Sequence, residues 1–267
     1  MLAWQKQTSA LSAAFQVFAS QAWCVQTTEK PSTPPAARAF ESASRSASAT
    51  RTSTILFNFE SFRICFDEGS NGYANMDVTS AASVSACFDE IERQMGGPAD
   101  IVVNNAGVTV TKPLLQQTEE DWDSVVGTNL KGGWMVAQEA ARRLVAAKKP
   151  GSLINIASIL GERVAGGVAP YAVSKAGLVQ ATKAMALELA RYGIRVNAIL
   201  PGYVTTDLNR DFLESEAGDK LRARIPTRRF GKLEDLDGPL LLLASDAGRH
   251  MTGAVLAVDG GHLVSGL

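Results

Sequence analysis

Glycine is missing from residues 1–68, and all 23 glycines of this 267-residue chain fall in residues 69–267. Average usage of roughly 7% would place about five in the first part. Over that stretch the shortage argues against tight turns and close backbone approaches, for which glycine is the default residue. Histidine is scarce, with only His250 and His262. That argues against a metal site built on imidazoles. Both read as polar residues near the C-terminus. The three cysteines, Cys24, Cys65 and Cys87, show no paired spacing. A disulfide framework and a zinc site are therefore not expected. There is no basic excess either. The net charge is −1, and Lys and Arg form no long cluster, so nucleic acid is not an expected partner. No run of about 18 or more uninterrupted apolar residues occurs, so no membrane-spanning helix is expected. The segment LSAAFQVFASQAWCV (11–25) imitates a secretory signal, and the Ser- and Arg-containing start imitates a transit peptide. Interior Gln residues and the lack of a strongly basic start favour a cytoplasmic location instead.

What is present suits one α/β domain or two small ones, and 46% hydrophobic residues supply a core. The chain has two halves of different character. Residues 31–54 hold three prolines and many Ser, Thr and Ala, with no sustained period. Only TILFNFE (54–60) and FRICF (62–66) look like strands there. Composition changes near residues 69–76, and order in the first part is not supported by its pattern.

From residue 76 onward the signals are regular. YANMDVT (73–79) reads as a short strand ending at Asp77, and 80–97 as an amphipathic helix with a glycine stop. ADIVVNNAG (99–107) reads as a buried strand running into a tight turn. Residues 118–151 read as one long helix, opened by a Thr118/Asp121 capping box. SLINIAS (152–158) is a strand, 170–193 a helix with Pro near its start and Gly at its end, and IRVNAILPG (194–202) a strand. A polar segment (205–235), a helix (236–246) and a last strand (253–261) follow. Alternating strands and helices predict an α/β fold with a doubly wound parallel sheet, Rossmann-like in form.

Tyr171 and Lys175 lie four apart on one predicted helix and so share a face. A nearby ammonium favours the phenolate, which suits Tyr171 to exchange a proton with a hydroxyl or carbonyl. Such a pair also arises on ordinary helix surfaces, so its context matters. Ser158 ends an apolar strand, and ligands of open α/β sheets bind outside the carboxyl ends of strands. Asn129 lies inside a helix, where its propensity is modest. It reads either as a solvated residue or as a polar group holding water on a proton path to Lys175.

These residues stand among DVT (77–79), NNAG (104–107), TNLKG around Asn129, INIAS ending at Ser158, YAVSK (171–175), RVNAILPG (195–202), TTD (205–207) and LASD…TG…VDGG (243–261). With that set the chain closely resembles the short-chain dehydrogenase/reductase family over about residues 74–267. The resemblance implies an NAD(P)-dependent oxidoreductase that interconverts a secondary alcohol and a ketone. It implies a catalytic set of Asn129, Ser158, Tyr171 and Lys175. Tyr171 would exchange the proton, Ser158 position the substrate oxygen, Lys175 hold the nicotinamide ribose, and Asn129 maintain a water relay. Cofactor contacts carry over to Asp77 and Val78 along the adenine, and to Asn104, Ala106 and Gly107 beside the ribose. Pro201 and Gly202 would lie under the nicotinamide, with Val204 and Thr206 at the carboxamide and a phosphate. Tyr171 and Lys175 would contact the cofactor as well. Either NAD or NADP is allowed, no metal is implied, and a homotetramer is, with the C-terminal VDGGHLVSGL near an interface.

One part of the family pattern is missing. A strand, a TGxxxGxG turn and a helix should bind the pyrophosphate near residues 25–40. The chain has VQTTEKPSTPPAARAF there, without glycine and with three prolines that lack N–H donors. Residues 1–73 are therefore expected to be an atypical segment in place of the first βαβ unit, ahead of a catalytic core at 74–267. A shifted reading frame is the leading origin considered for it; genuine divergence and an alternative leader are the others. The missing loop also opens a second reading, a cofactor-free pseudoenzyme or interaction protein on the same scaffold. Sugar acids or polyols and 3-oxoacyl thioesters are both open as substrates. Segment 205–228 would cover a pocket with partly apolar lining from Ile159, Leu160, Val164 and Tyr203, beside the charged Glu162 and Arg163.

Overall fold

In the computed structural model, residues 74–206 and 209–266 are described, together with the backbone of three short strands, Thr54–Leu56 (β1), Arg63–Cys65 (β2) and Asn71–Gly72 (β3). The remaining elements in chain order are α1 (Ala81–Met95), β4 (Ile101–Asn104), α2 (Glu119–Val126), α3 (Gly133–Ala146), β5 (Gly151–Ile156), α4 (Ala169–Leu189), β6 (Ile194–Pro201), α5 (Arg210–Leu213), α6 (Glu216–Arg222), α7 (Asp237–Ala244) and β7 (Val255–Val258). They build one seven-stranded sheet of order β3-β2-β1-β4-β5-β6-β7.

From β1 through β4, β5, β6 and β7 every pairing is parallel. Helices cross between these strands from β4 onward, so the doubly wound sheet read from the alternation is present. The outer pairings differ. β1 with β2 and β2 with β3 run antiparallel. Only residues 57–62 separate β1 from β2. A parallel crossover takes about a dozen residues or more, whereas an antiparallel return does not.

Alternate residues of the central strands serve opposite faces, as the period of two requires. Val102, Leu153 and Val196 pack on one face against Val84, Phe88 and Ile91 of α1 and Val136 and Leu144 of α3. Their neighbours Val103, Ile154 and Ile199 pack on the other face against Leu240 and Leu243 of α7 and Leu236. Each such fully buried side chain contributes roughly 1.5–3 kcal/mol. Nearly all of β4–β6 is buried, which explains why these strands read as unbroken apolar runs.

Helix ends follow the sequence signals. Ser80 caps α1 through a bond from the Ser83 N–H, and Gly96 closes it at φ 72°. Thr118 and Asp121 form the reciprocal capping box of α2, with N···O distances of 3.0 and 3.2 Å. Gly193, after α4, stands at φ 73°. Two expectations are corrected. Residues 74–79 are not a strand, and 78–79 form a turn in which the Asp77 carboxylate accepts from the Thr79 N–H (2.8 Å) and hydroxyl (2.6 Å). Such local bonding competes with strand pairing. The long helix at 118–151 is interrupted by a π turn at Gly127–Gly132, which carries Asn129. The positions expected for the pyrophosphate turn, 25–40, lie outside the described residues, as does most of the segment 1–73.

Candidate active site

The site lies at the carboxyl edge of β4, β5 and β6, where the parallel strands release their chain into loops. Ser158 follows β5 in extended backbone (φ −169°) and is buried. Its Oγ accepts from the Leu160 N–H at 3.1 Å, which starts the short turn Ile159–Gly161. Gly161 lets that turn press on α4, since a Cβ there would meet the Lys175 carbonyl oxygen at 2.9 Å. The close approach brings Ser158 toward the first turn of α4, where its hydroxyl favours the Tyr171 phenolate.

Lys175 stands one turn further along α4 and is buried. Its Nζ donates to the Ile156 carbonyl at 2.8 Å and lies 5.6 Å from the centre of the Tyr171 ring. Burial pulls the Lys175 pKa down to about 8. Burial also raises that of Tyr171, opposed by Ser158. The Lys175 ammonium bonds a backbone carbonyl, and the Ser158 hydroxyl favours the phenolate.

Asn129 is almost fully buried, so the solvated reading is excluded. Its Oδ1 accepts from the Val108 N–H at 2.7 Å, and its Nδ2 donates to the Val108 carbonyl at 2.9 Å and to Ser174 Oγ at 3.0 Å. The Ser174 hydroxyl in turn donates to the Tyr171 carbonyl at 2.7 Å. Asn129 thus ties the NNAG turn to the turn of α4 that carries Tyr171. Gly107 sits over this junction. A Cβ there would lie 3.4 Å from Asn129 Oδ1 and 3.5 Å from Lys175 Nζ.

The expected cofactor residues lie before α1 and at the carboxyl ends of β4 and β6. Asp77 is exposed, and its carboxyl is held below the usual range by the Thr79 hydroxyl and N–H. Val78 is buried against Gly132 of the π turn. Asn104 turns its side chain inward, donating to Asn155 Oδ1 at 2.9 Å and the Gly133 carbonyl at 3.1 Å. Only its backbone faces the turn that Ala106 and Gly107 continue. Pro201 ends β6, and Gly202 lies close on Asp259, where a Cβ would meet Asp259 Cβ at 2.7 Å. Val204 pairs with Gly231 as an isolated parallel bridge. The Thr206 N–H donates to Asn209 Oδ1 at 2.9 Å, while its buried Oγ1 has no partner among the described residues. A buried hydroxyl without a partner is costly.

Sequence reasoning missed Asn155 and Thr182. Asn155 is fully buried in β5 and donates to Thr182 Oγ1 at 2.8 Å, continuing the line from Asn104. An Asn inside the apolar run SLINIAS was the available signal. Of the expected pocket lining, Ile159 is buried in the core beside Leu178, and Val164 is largely exposed. Tyr203 follows β6 and faces the His262 ring, 5.8 Å between centres.

A family model described as Enoyl-(Acyl carrier protein) reductase matches residues 60–262. The chain belongs to the short-chain dehydrogenase/reductase family. The (3R)-3-hydroxyacyl-CoA dehydrogenase of Mus musculus is 38% identical over 72% of this chain and 74% of its own length. The 3-oxoacyl-[acyl-carrier-protein] reductase FabG of Staphylococcus aureus (strain Mu50) is 37% identical over 69% of this chain and 74% of its own. Among solved structures, a gluconate 5-dehydrogenase from Burkholderia cenocepacia J2315 in complex with NADP and tartrate superposes with a TM-score of 0.69. It is 39% identical, and the match covers 72% of this chain and 75% of that one. These short-chain relatives are oxidoreductases, and the cofactor-free reading gains nothing from them.

Proposed function

We propose that this protein is an NAD(P)-dependent oxidoreductase that interconverts a secondary alcohol and a ketone. The observation that carries the reading is the grouping of Tyr171 with the buried Ser158 and Lys175, whose Nζ lies 5.6 Å from the Tyr171 ring centre, at the open edge of a parallel sheet. In the oxidation direction Tyr171 accepts the substrate hydroxyl proton, and Ser158 donates to the same oxygen as charge develops. Lys175 supplies the positive charge that favours the phenolate once it turns from the Ile156 carbonyl. Asn129 fixes the position of the α4 turn that carries Tyr171.

The residues present fit a nicotinamide cofactor. The unpartnered Thr206 hydroxyl and the glycine at 107 supply a hydrogen-bonding group and an uncrowded backbone. Gly107, Gly202, Val204, Thr206 and Lys175 would hold the nicotinamide half, and Asp77 and Val78 the adenine. When bound, the cofactor carries the hydride. Residues 1–73 stand in place of the first βαβ unit, and the lack of glycine at 25–40 weakens the hold on the pyrophosphate. The exposed apolar side chains of Trp122, Trp134, Val173 and Leu187 support assembly into a homotetramer through α2, α3 and α4. We place the protein in the cytoplasm; no helix among the described residues is long and apolar enough to cross a membrane.

The test is oxidation of sugar acids and polyols, and reduction of 3-oxoacyl thioesters, followed by nicotinamide absorbance with NAD(H) and NADP(H) at saturating concentration. Cofactor-dependent turnover that vanishes in Tyr171→Phe supports the reading. No turnover across the panel contradicts it.

A further inference from the structure

The same edge of the sheet holds a second polar cluster that the proton exchange at Tyr171 does not use. Arg163 follows the Ser158 turn, Tyr203 follows β6, and His262 follows β7. Arg163 Nη1 donates to the His262 carbonyl. The rings of Tyr203 and His262 lie 5.8 Å apart at 39°. The Arg163 N–H donates to the Ile159 carbonyl at 2.9 Å, which ties the cluster to the turn that Ser158 opens.

Two features of this cluster are unusual. His262 is only 5% exposed, yet its Nδ1 is buried without a partner among the described residues. Arg163 is half-buried and forms no ion pair among the described residues. The nearby carboxylates do not answer it. Asp259 is committed to the N–H groups of Gly261 (2.9 Å) and Leu263 (2.5 Å), and Glu162 is exposed. Arg224 adds a further positive charge. Burial, then Arg163, pulls the His262 pKa below its usual value, which keeps the ring neutral and able to donate from one nitrogen. An unanswered guanidinium beside an unpaired buried nitrogen is unfavourable alone, and an anion would satisfy both.

We propose that Arg163 and His262 form a subsite for a carboxylate carried by the substrate, beside the alcohol carbon that faces Tyr171. The proposal rests on the oxidoreductase reading and names its substrate class: a hydroxy- or oxo-carboxylate, not a neutral polyol and not a thioester.

The test uses the full chain and two readouts. Calorimetry measures binding of gluconate and of tartrate, with the neutral polyol glucitol as control, with and without NADP. Both carboxylates should bind at least ~10-fold tighter than glucitol, and Arg163→Met should remove that preference. Arg163→Lys should keep part of it, which separates loss of charge from misfolding, and His262→Phe should reduce it. Kinetically, the ratio of kcat/KM for gluconate over glucitol should be on the order of 10² in the wild type and approach one in Arg163→Met. Equal binding of gluconate and glucitol overturns the proposal, as does an unchanged ratio in Arg163→Met. Oxidation of neutral polyols in preference to carboxylates overturns the subsite and leaves the oxidoreductase reading standing. Arg163-dependent carboxylate binding without any turnover does the reverse.

Discussion

Val108 and Asn129 are paired as residues of neighbouring strands would be, although one of them lies in a helix. The Val108 N–H donates to Asn129 Oδ1 at 2.7 Å, and Asn129 Nδ2 returns a bond to the Val108 carbonyl at 2.9 Å. The π turn at Gly127–Gly132 presents the Asn129 side chain to the NNAG turn. Such turns recur at functional sites.

Asn129→Ala leaves the Val108 groups and Ser174 Oγ without this partner. A loss of roughly 1–3 kcal/mol is expected, because unpaired buried groups keep their desolvation cost. Turnover should fall with it, since the tie from the turn to the Tyr171 segment is cut. Urea unfolding and steady-state kinetics check the two effects. Unchanged stability and unchanged kcat would contradict this role.

Ser158→Ala is expected to lower kcat by about 100-fold, the usual scale for losing one donor to a developing charge. It also has a pH signature. Burial raises the Tyr171 pKa and Ser158 opposes that rise. Removing the hydroxyl should therefore move the rising limb of the oxidation rate to higher pH. A kcat/KM profile across alkaline pH measures it, and a shift to lower pH would be the wrong sign.

Asp237 opens α7 with Oδ1 buried and unpartnered among the described residues. Burial, then Glu234, pushes its pKa up from 3.8 to about 6. The folded form therefore binds the proton more tightly than the unfolded one. Its stabilising contribution is present below about pH 3.8 and is lost as pH rises through about 6. Asp237→Asn should then raise Tm at pH 7 by a few degrees, on the order expected for about 1 kcal/mol. The two proteins should converge toward pH 4. Thermal unfolding from pH 4 to 8 decides it.

Cofactor affinity should be weak. Residues 25–40 offer three prolines and no glycine where the family places its pyrophosphate turn. Without backbone N–H groups on the phosphates, a Kd above about 100 µM is expected for NADH and NADPH. Titration by fluorescence or calorimetry measures it. Micromolar binding would contradict the proposed replacement of the first βαβ unit.

Much of the catalytic core was legible because its signals are local. The capping box of Thr118 and Asp121, the closing glycines at 96 and 193, and the buried strands β4–β6 all follow from short-range pattern. The π turn was not legible. It adds a residue within a helical run without breaking its apolar face. The strand expected at 73–79 is not formed over 74–79, where Asp77 and Thr79 bond each other. Ser158, Tyr171 and Lys175 were identifiable by spacing and resemblance, but their electrostatics were not. Burial, and the bond from Lys175 to Ile156, depend on how closely α4 meets the Ser158 turn. The Arg163–His262 contact joins residues 99 positions apart, and no local pattern announces it.

The central claim is that Tyr171 exchanges the substrate proton while a nicotinamide takes or gives the hydride. The most direct measurement compares wild type and Tyr171→Phe for NAD(P)H formation from gluconate at millimolar cofactor, with thermal unfolding of both. The account predicts cofactor-dependent turnover in the wild type and a loss on the order of 10³-fold or more in Tyr171→Phe at unchanged Tm. Turnover that survives in Tyr171→Phe would contradict it.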